Sequence, residues 1–111
     1  YFKEKAYFDY VGVMVGSGRA VAAEAKSTRE PILRFNSAGL KSHQIEALVR
    51  WGAAGAFVLV LWQHAGQVVS VSSERLRELV ESGERKVRFD DPHATEVPRR
   101  GLWLDPFGVL V

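Results

Sequence analysis

The stretch AFVLVLW, residues 56 to 62, constrains the fold more than any other part of the chain. Both side-chain parities are apolar. As a strand it has no face to give to water, so it must lie inside a sheet, paired on both edges and covered on both sides. A membrane is not the alternative. The longest apolar run around it, GAAGAFVLVLW, falls well short of the roughly 20 residues of a spanning helix and lacks the flanks of a signal peptide. At 111 residues, 47% hydrophobic and 25% charged, the chain has the size and composition of one globular domain with one core. The strands beside this segment must therefore come from the same domain.

Their candidates can be read along the chain. Residues 7 to 15, YFDYVGVMV, are β-branched and aromatic, and GSG at 16 to 18 signals a turn, so RAVAAEAKS reads as the returning strand of a hairpin. Residues 29 to 41, with Pro31, Asn36 and Gly39, read as a loop carrying several basic groups. Ser42 can cap a helix to about Trp51, on which Ile45, Leu48 and Val49 form the apolar stripe. Beyond the central strand, HAG at 64 to 66 turns the chain into QVVSVS. Ser72 or Ser73 then caps a helix over ERLRELVES that Gly83 ends. RKVRF reads as a short strand, DDPHATEVPRRG as a loop, and LWLDPFGVLV as a last strand or tail. The order β-β-α-β-β-α predicts an α/β domain, a mixed sheet with helices packed on it. Residues 1–83 form its core and 84–111 a C-terminal extension.

The returning strand carries the feature that points to chemistry. Glu24 and Lys26 share one face with Ala20 and Ala22, so an acid and a base continue a face that is otherwise small and apolar. A simple hairpin closing at 16 to 18 brings Asp9 opposite about residue 25, beside this pair. Burying a charge without a partner costs several kcal/mol, so the three groups are expected to meet. Two readings are open. One is a cross-strand ion-pair cluster worth about 0.2–1 kcal/mol per pair. The other is a site for a hard cation such as Mg²⁺, which binds through one or two carboxylates plus substrate phosphates. There the lysine orients or helps deprotonate the attacking water and offsets charge on the phosphate.

Composition narrows the partners. There is no cysteine, which excludes disulfides and thiolate metal sites and fits a reducing compartment. The net charge is only +2, yet ten of the fifteen basic residues are arginine, the side chain suited to bidentate phosphate contacts. They fall in local groups: Arg29 and Arg34, Arg75 and Arg77, Arg85 with Lys86 and Arg88, and Arg99 with Arg100. Solubility accounts for such groups as well as DNA binding does.

Five motifs in register resemble the RecU family of Holliday junction resolvases, within the PD-(D/E)XK nuclease superfamily. They are Asp9-Tyr10-Val11-Gly12, Glu24-Ala25-Lys26, the basic loop with Pro31, His43-Gln44-Ile45-Glu46 at a helix start, and the strand AFVLVLW. Order and spacing agree over about residues 1 to 80, including the polar helix at 73 to 82. The C-terminal 30 residues match loosely. The upstream helix and projecting β stalk of the family are absent from this stretch of sequence.

The resemblance implies a restriction-endonuclease-like core and a Mg²⁺- or Mn²⁺-dependent endonuclease that cuts four-way DNA junctions symmetrically as a homodimer. It implies a cytoplasmic protein of bacterial or phage origin, with no membrane partner. Asp9 and Glu24 would carry the metal, Lys26 would act on the water, and Gln44 would complete the catalytic set. Arg29, Arg34 and Lys41 are the candidates for phosphate contacts, which position DNA without reading sequence. His43 either joins them or is an ordinary helix-start histidine. His64 and His93 read as surface residues. Two other functions fit the same residues: a nuclease of this superfamily acting on duplex or flapped DNA, and a non-catalytic DNA-binding module of the same fold.

Overall fold

The computed structural model describes residues 8–97, together with the backbone of residues 99–100 and 103–104. A five-stranded sheet is its frame. Strands β1 (Tyr10–Val13) and β2 (Ala20–Ser27) form the expected antiparallel hairpin. After a short β3 (Ile32–Arg34) and helix α1 (Ser42–Ala53), β4 (Phe57–His64) returns parallel to β2. A tight turn leads into antiparallel β5 (Gln67–Ser72). Helix α2 (Ser73–Glu81), β6 (Lys86–Arg88) and the edge strand β7 (Thr95–Glu96) follow. The sheet order is β1-β2-β4-β5-β7. It is a mixed sheet with two helices packed on it, the α/β domain that the order of elements predicts.

Strand β4 lies in the middle of this sheet, as its apolar sequence requires. Val58, Val60 and Trp62 point into one core with Leu48 of α1, Leu76 of α2, and Val69 and Val71 of β5. Leu59, of the opposite parity, is only 4% exposed. Each fully buried aliphatic side chain here contributes about 1.5–3 kcal/mol. Helix α1 buries Ile45, Ala47 and Leu48; α2 buries Ser73, Leu76 and Leu79. The helices touch where Gly52 meets Ser73, and a Cβ at Gly52 would run into the Ser73 hydroxyl. Ser72 caps α2, its Oγ accepting from the Arg75 amide at 3.2 Å. Ala65 and Gly66 form the two-residue turn between β4 and β5, with φ of 50° and 79°, the geometry of a type I′ hairpin. No helix among the described residues is long and apolar enough to cross a membrane.

Several local expectations need correction. The loop at 29–41 contains β3, which pairs with β6 in a separate two-stranded ribbon. The partner strand lies more than 50 residues downstream, so no local pattern announces it. The loop after Phe89 contains β7, which pairs Thr95 with Ser70, and backbone pairing joins Arg99–Arg100 to Trp103–Leu104. Lys41, not Ser42, occupies the N-cap of α1. The hairpin register is one residue from the simple count: Tyr10 faces Ala23, which puts Asp9 opposite Glu24. Tyr7, assigned to the first strand, lies outside the described residues.

A partly buried ion pair ties α2 to the segment after β6. Arg75 Nε donates to Asp91 Oδ1 at 3.1 Å and Nη2 donates to Oδ2 at 2.8 Å, while the His93 amide donates to Oδ1 at 2.9 Å. Burial alone would push the Asp91 carboxyl up, but the Arg75 hydrogen bonds, the His93 amide and the Arg75 charge outweigh it and hold it below the ordinary value. A depressed carboxyl contributes stability above its unfolded pKa, and this is lost as pH falls through the folded one. Urea unfolding should therefore find Asp91→Asn destabilised by about 1.5–3 kcal/mol near neutral pH. The gap to the unaltered chain should close as the solution is acidified below pH 4.

Candidate active site

The parallel pair β2–β4 decides where the polar groups meet. A parallel connection needs a crossover, here supplied by β3 and α1. The helix runs back along the sheet, so its first turn lies over the carboxyl-terminal half of β2. Glu24 and Lys26 point to this helix-bearing face, opposite Val60 and Trp62 in the register. Glu24 is 5% exposed, the only fully buried acid among the described residues.

Three groups converge on it. Gln44, in the first turn of α1, donates from Nε2 to Glu24 Oε1 at 3.1 Å. Lys26 Nζ stands 3.9 Å from the same oxygen, its side chain 21% exposed. The Asp9 carboxylate lies close enough to Glu24 for the two charges to repel. Asp9 is itself held by the backbone, since its Oδ2 accepts from the Ala25 amide at 2.8 Å. The β1–β2 ladder stops at Tyr10 and Ala23. Amides two residues apart face the same neighbour, so Asp9 takes the next donor along that edge. Phe8 anchors Asp9 from the other side, 4% exposed and packed edge-on against Trp51 of α1 with ring centroids 4.9 Å apart.

Gln44 has a defined direction. Its Oε1 accepts from the Lys41 amide at 3.0 Å, a capping bond that satisfies a helix-start donor. With the oxygen committed there, the NH₂ is what remains to face Glu24. Beyond Lys26, Thr28 locks the strand exit. Its amide donates to the Gln63 carbonyl at 3.1 Å, and its hydroxyl accepts from Trp62 Nε1 at 2.8 Å and donates to the Glu30 carbonyl at 2.6 Å.

Sequence reasoning missed the backbone amides of Ala25 and Lys41 and the Trp62–Thr28 bond. A glutamine three residues after the N-cap was the available signal for the Lys41 contact; nothing in residue types announces the others. Asp9, Glu24, Lys26 and Gln44 are thus together. Arg29 and Arg34 border a polar concavity of about 250 Å³ with Ser27 and Thr28, and Lys41 and His43 are exposed at the start of α1. No described contact brings the His43 side chain to the carboxylates.

The donor set is two carboxylates, with the Ala25 carbonyl on the same strand edge as its amide. No cluster of three or more metal-ligating side chains exists among the described residues. An all-oxygen pair of this kind suits a hard cation that keeps most of its own water, rather than a closed protein cage. The charge balance agrees, because one ammonium faces two carboxylates. Burial, then the Asp9 charge, pushes the Glu24 carboxyl above its ordinary value, against the pull of Lys26. A raised carboxyl binds its proton more tightly folded than unfolded, so its contribution to stability falls as pH rises through that window. In metal-free buffer, Glu24→Gln should melt higher than the unaltered chain at pH 7, and the two should converge below about pH 4, where both states are protonated.

The family model of RecU, recombination protein U, matches residues 1–95 of this chain, a span that includes all four of these residues. No curated protein matches the chain.

Proposed function

We propose that this chain, which belongs to the RecU family of Holliday junction resolvases, is a metal-dependent endonuclease that hydrolyses phosphodiester bonds at four-way DNA junctions. The observation that carries this reading is Glu24. A carboxylate only 5% exposed, set beside a second carboxylate and only partly offset by an ammonium, is poor design for stability. It is good design for holding a divalent cation. Asp9 and Glu24 would bind Mg²⁺ or Mn²⁺, which supplies a more acidic water and neutralises charge on the scissile phosphate.

The chain's own groups do the rest. Lys26, held near Glu24 but still open to solvent, would donate to the attacking water and carry positive charge to the phosphate as negative charge develops. Gln44 keeps Glu24 in one rotamer through the Nε2 bond, while the Lys41 amide keeps Gln44 in place. Arg29, Arg34, Lys41 and His43 would take phosphates of the flanking arms. Symmetric cutting requires two sites related by two-fold symmetry, which a homodimer supplies. Such an enzyme works in the cytoplasm, where its DNA is.

The test is cleavage of an end-labelled four-way junction and a matched linear duplex, in Mg²⁺ and in EDTA. Symmetric nicks in the junction alone are expected, abolished by EDTA and by Glu24→Gln. Lys26→Met should lower the single-turnover rate by roughly 10²–10³-fold, and Gln44→Ala by less, because it positions Glu24 and does not meet the phosphate. Equal cutting of the duplex would replace this reading with a general nuclease. Binding without cutting would replace it with a DNA-binding module.

A further inference from the structure

The ribbon of β3 and β6 is not used by the site as described. Its ladder pairs Ile32 with Arg88, Leu33 with Val87 and Arg34 with Lys86. One further bond continues the same register at each end: Phe89 N–H to the Pro31 carbonyl and Phe35 N–H to the Arg85 carbonyl, both 2.9 Å. The inner face is fixed in the core by Leu33 and Val87, each 1% exposed. Strand alternation then turns Ile32, Arg34, Lys86 and Arg88 outward. Three of these four are cations, and none is an acid.

The sequence separates these cations, with Arg34 in one basic group and Lys86 and Arg88 in another; pairing makes them one surface. Arg34 borders two concavities, the 250 Å³ one shared with Thr28 and Arg29 and one of about 480 Å³ shared with Arg85 and Lys86. The surface is also coupled to the carboxylates. The Arg34 carbonyl accepts from the Leu40 amide at 2.9 Å, and the next residue's amide holds Gln44. Acids stand at its margins: Glu30 is 3.7 Å from Arg34 and Asp90 is 3.2 Å from Arg88, all four side chains largely exposed. Exposed pairs of this kind are weak and open readily to a competing anion. Lys86 makes no ion pair among the described residues.

We infer that the outward face of the β3–β6 ribbon, through Arg34, Lys86 and Arg88, is a track for the phosphate backbone of a DNA arm leading to the Asp9–Glu24 site. This deepens the nuclease reading and rests on DNA being the substrate. The contacts are to phosphates, so they add affinity that depends on salt and not on base sequence.

The experiment measures binding of a fluorescent four-way junction by the full chain in Mg²⁺, across a series of salt concentrations. Glu24→Gln is the background throughout, to prevent cutting. Lys86→Gln with Arg88→Gln should weaken binding roughly tenfold or more at moderate salt. Each lost contact should make the plot of log K against log salt shallower by about 0.9, hence about 1.8 for the pair. Arg77→Gln, on the exposed face of α2, should change neither quantity. The charge-conserving pair Lys86→Arg with Arg88→Lys should keep both, which separates lost charge from a disturbed ribbon. If the double glutamine variant binds with the parent's affinity and slope while the unaltered chain still cuts junctions, the track is overturned and the nuclease reading stands. A parent that binds no DNA at any salt overturns both. Equal loss in the charge-conserving pair overturns the electrostatic track.

Discussion

The parallel pairing of β2 with β4 is the constraint on which the rest of this structure depends. Antiparallel neighbours can be joined by a two-residue turn, as Ala65 and Gly66 do for β4 and β5. Parallel neighbours cannot, so the chain must cross over the sheet between them. That crossover carries α1 back along the sheet and lays its first turn over the half of β2 that holds Glu24 and Lys26. Ligand sites in open α/β sheets gather beyond the carboxyl ends of strands for the same reason. The helix start also brings the positive end of a dipole and backbone donors toward a place where anions collect.

Around that constraint the molecule holds an electrostatic imbalance in a rigid setting. Glu24 is buried in contact with Gln44 and beside two charged groups of opposite sign, Asp9 and Lys26. Asp9 is pinned by the Ala25 amide and by Phe8 against Trp51, and the strand exit just beyond Lys26 is pinned by Thr28. The contrast with Asp91 is instructive. That carboxylate is also largely buried, yet a bidentate arginine depresses its pKa and makes it a support for the fold. The same residue class serves structure where its charge is answered and is available for chemistry where it is not.

Much of this could be read before the fold was known. The central position of β4 follows from an apolar run with no polar parity, because only a strand covered on both faces tolerates it. The hairpin, both helices and the β5 strand follow from turn residues, caps and periodicity, which are local properties. Asp9 and the Glu24–Lys26 pair could be brought together by counting residues back from the turn. Counting failed only by one register step, since turn geometry rather than arithmetic sets the pairing.

Local pattern thus determined which residues are apolar, which segments are strand or helix, and which acids and bases share a strand face. Those properties depend on neighbours within a few residues. Tertiary structure alone decided that Gln44 reaches Glu24, that the Lys41 amide orients it, that Trp62 holds Thr28, and that Arg34 stands beside Lys86 and Arg88. Each of these contacts depends on the crossover, on backbone atoms that every residue possesses, or on a strand pairing between segments more than 50 residues apart. Residue identity carries no mark of such a partner; only the path of the chain brings the two together.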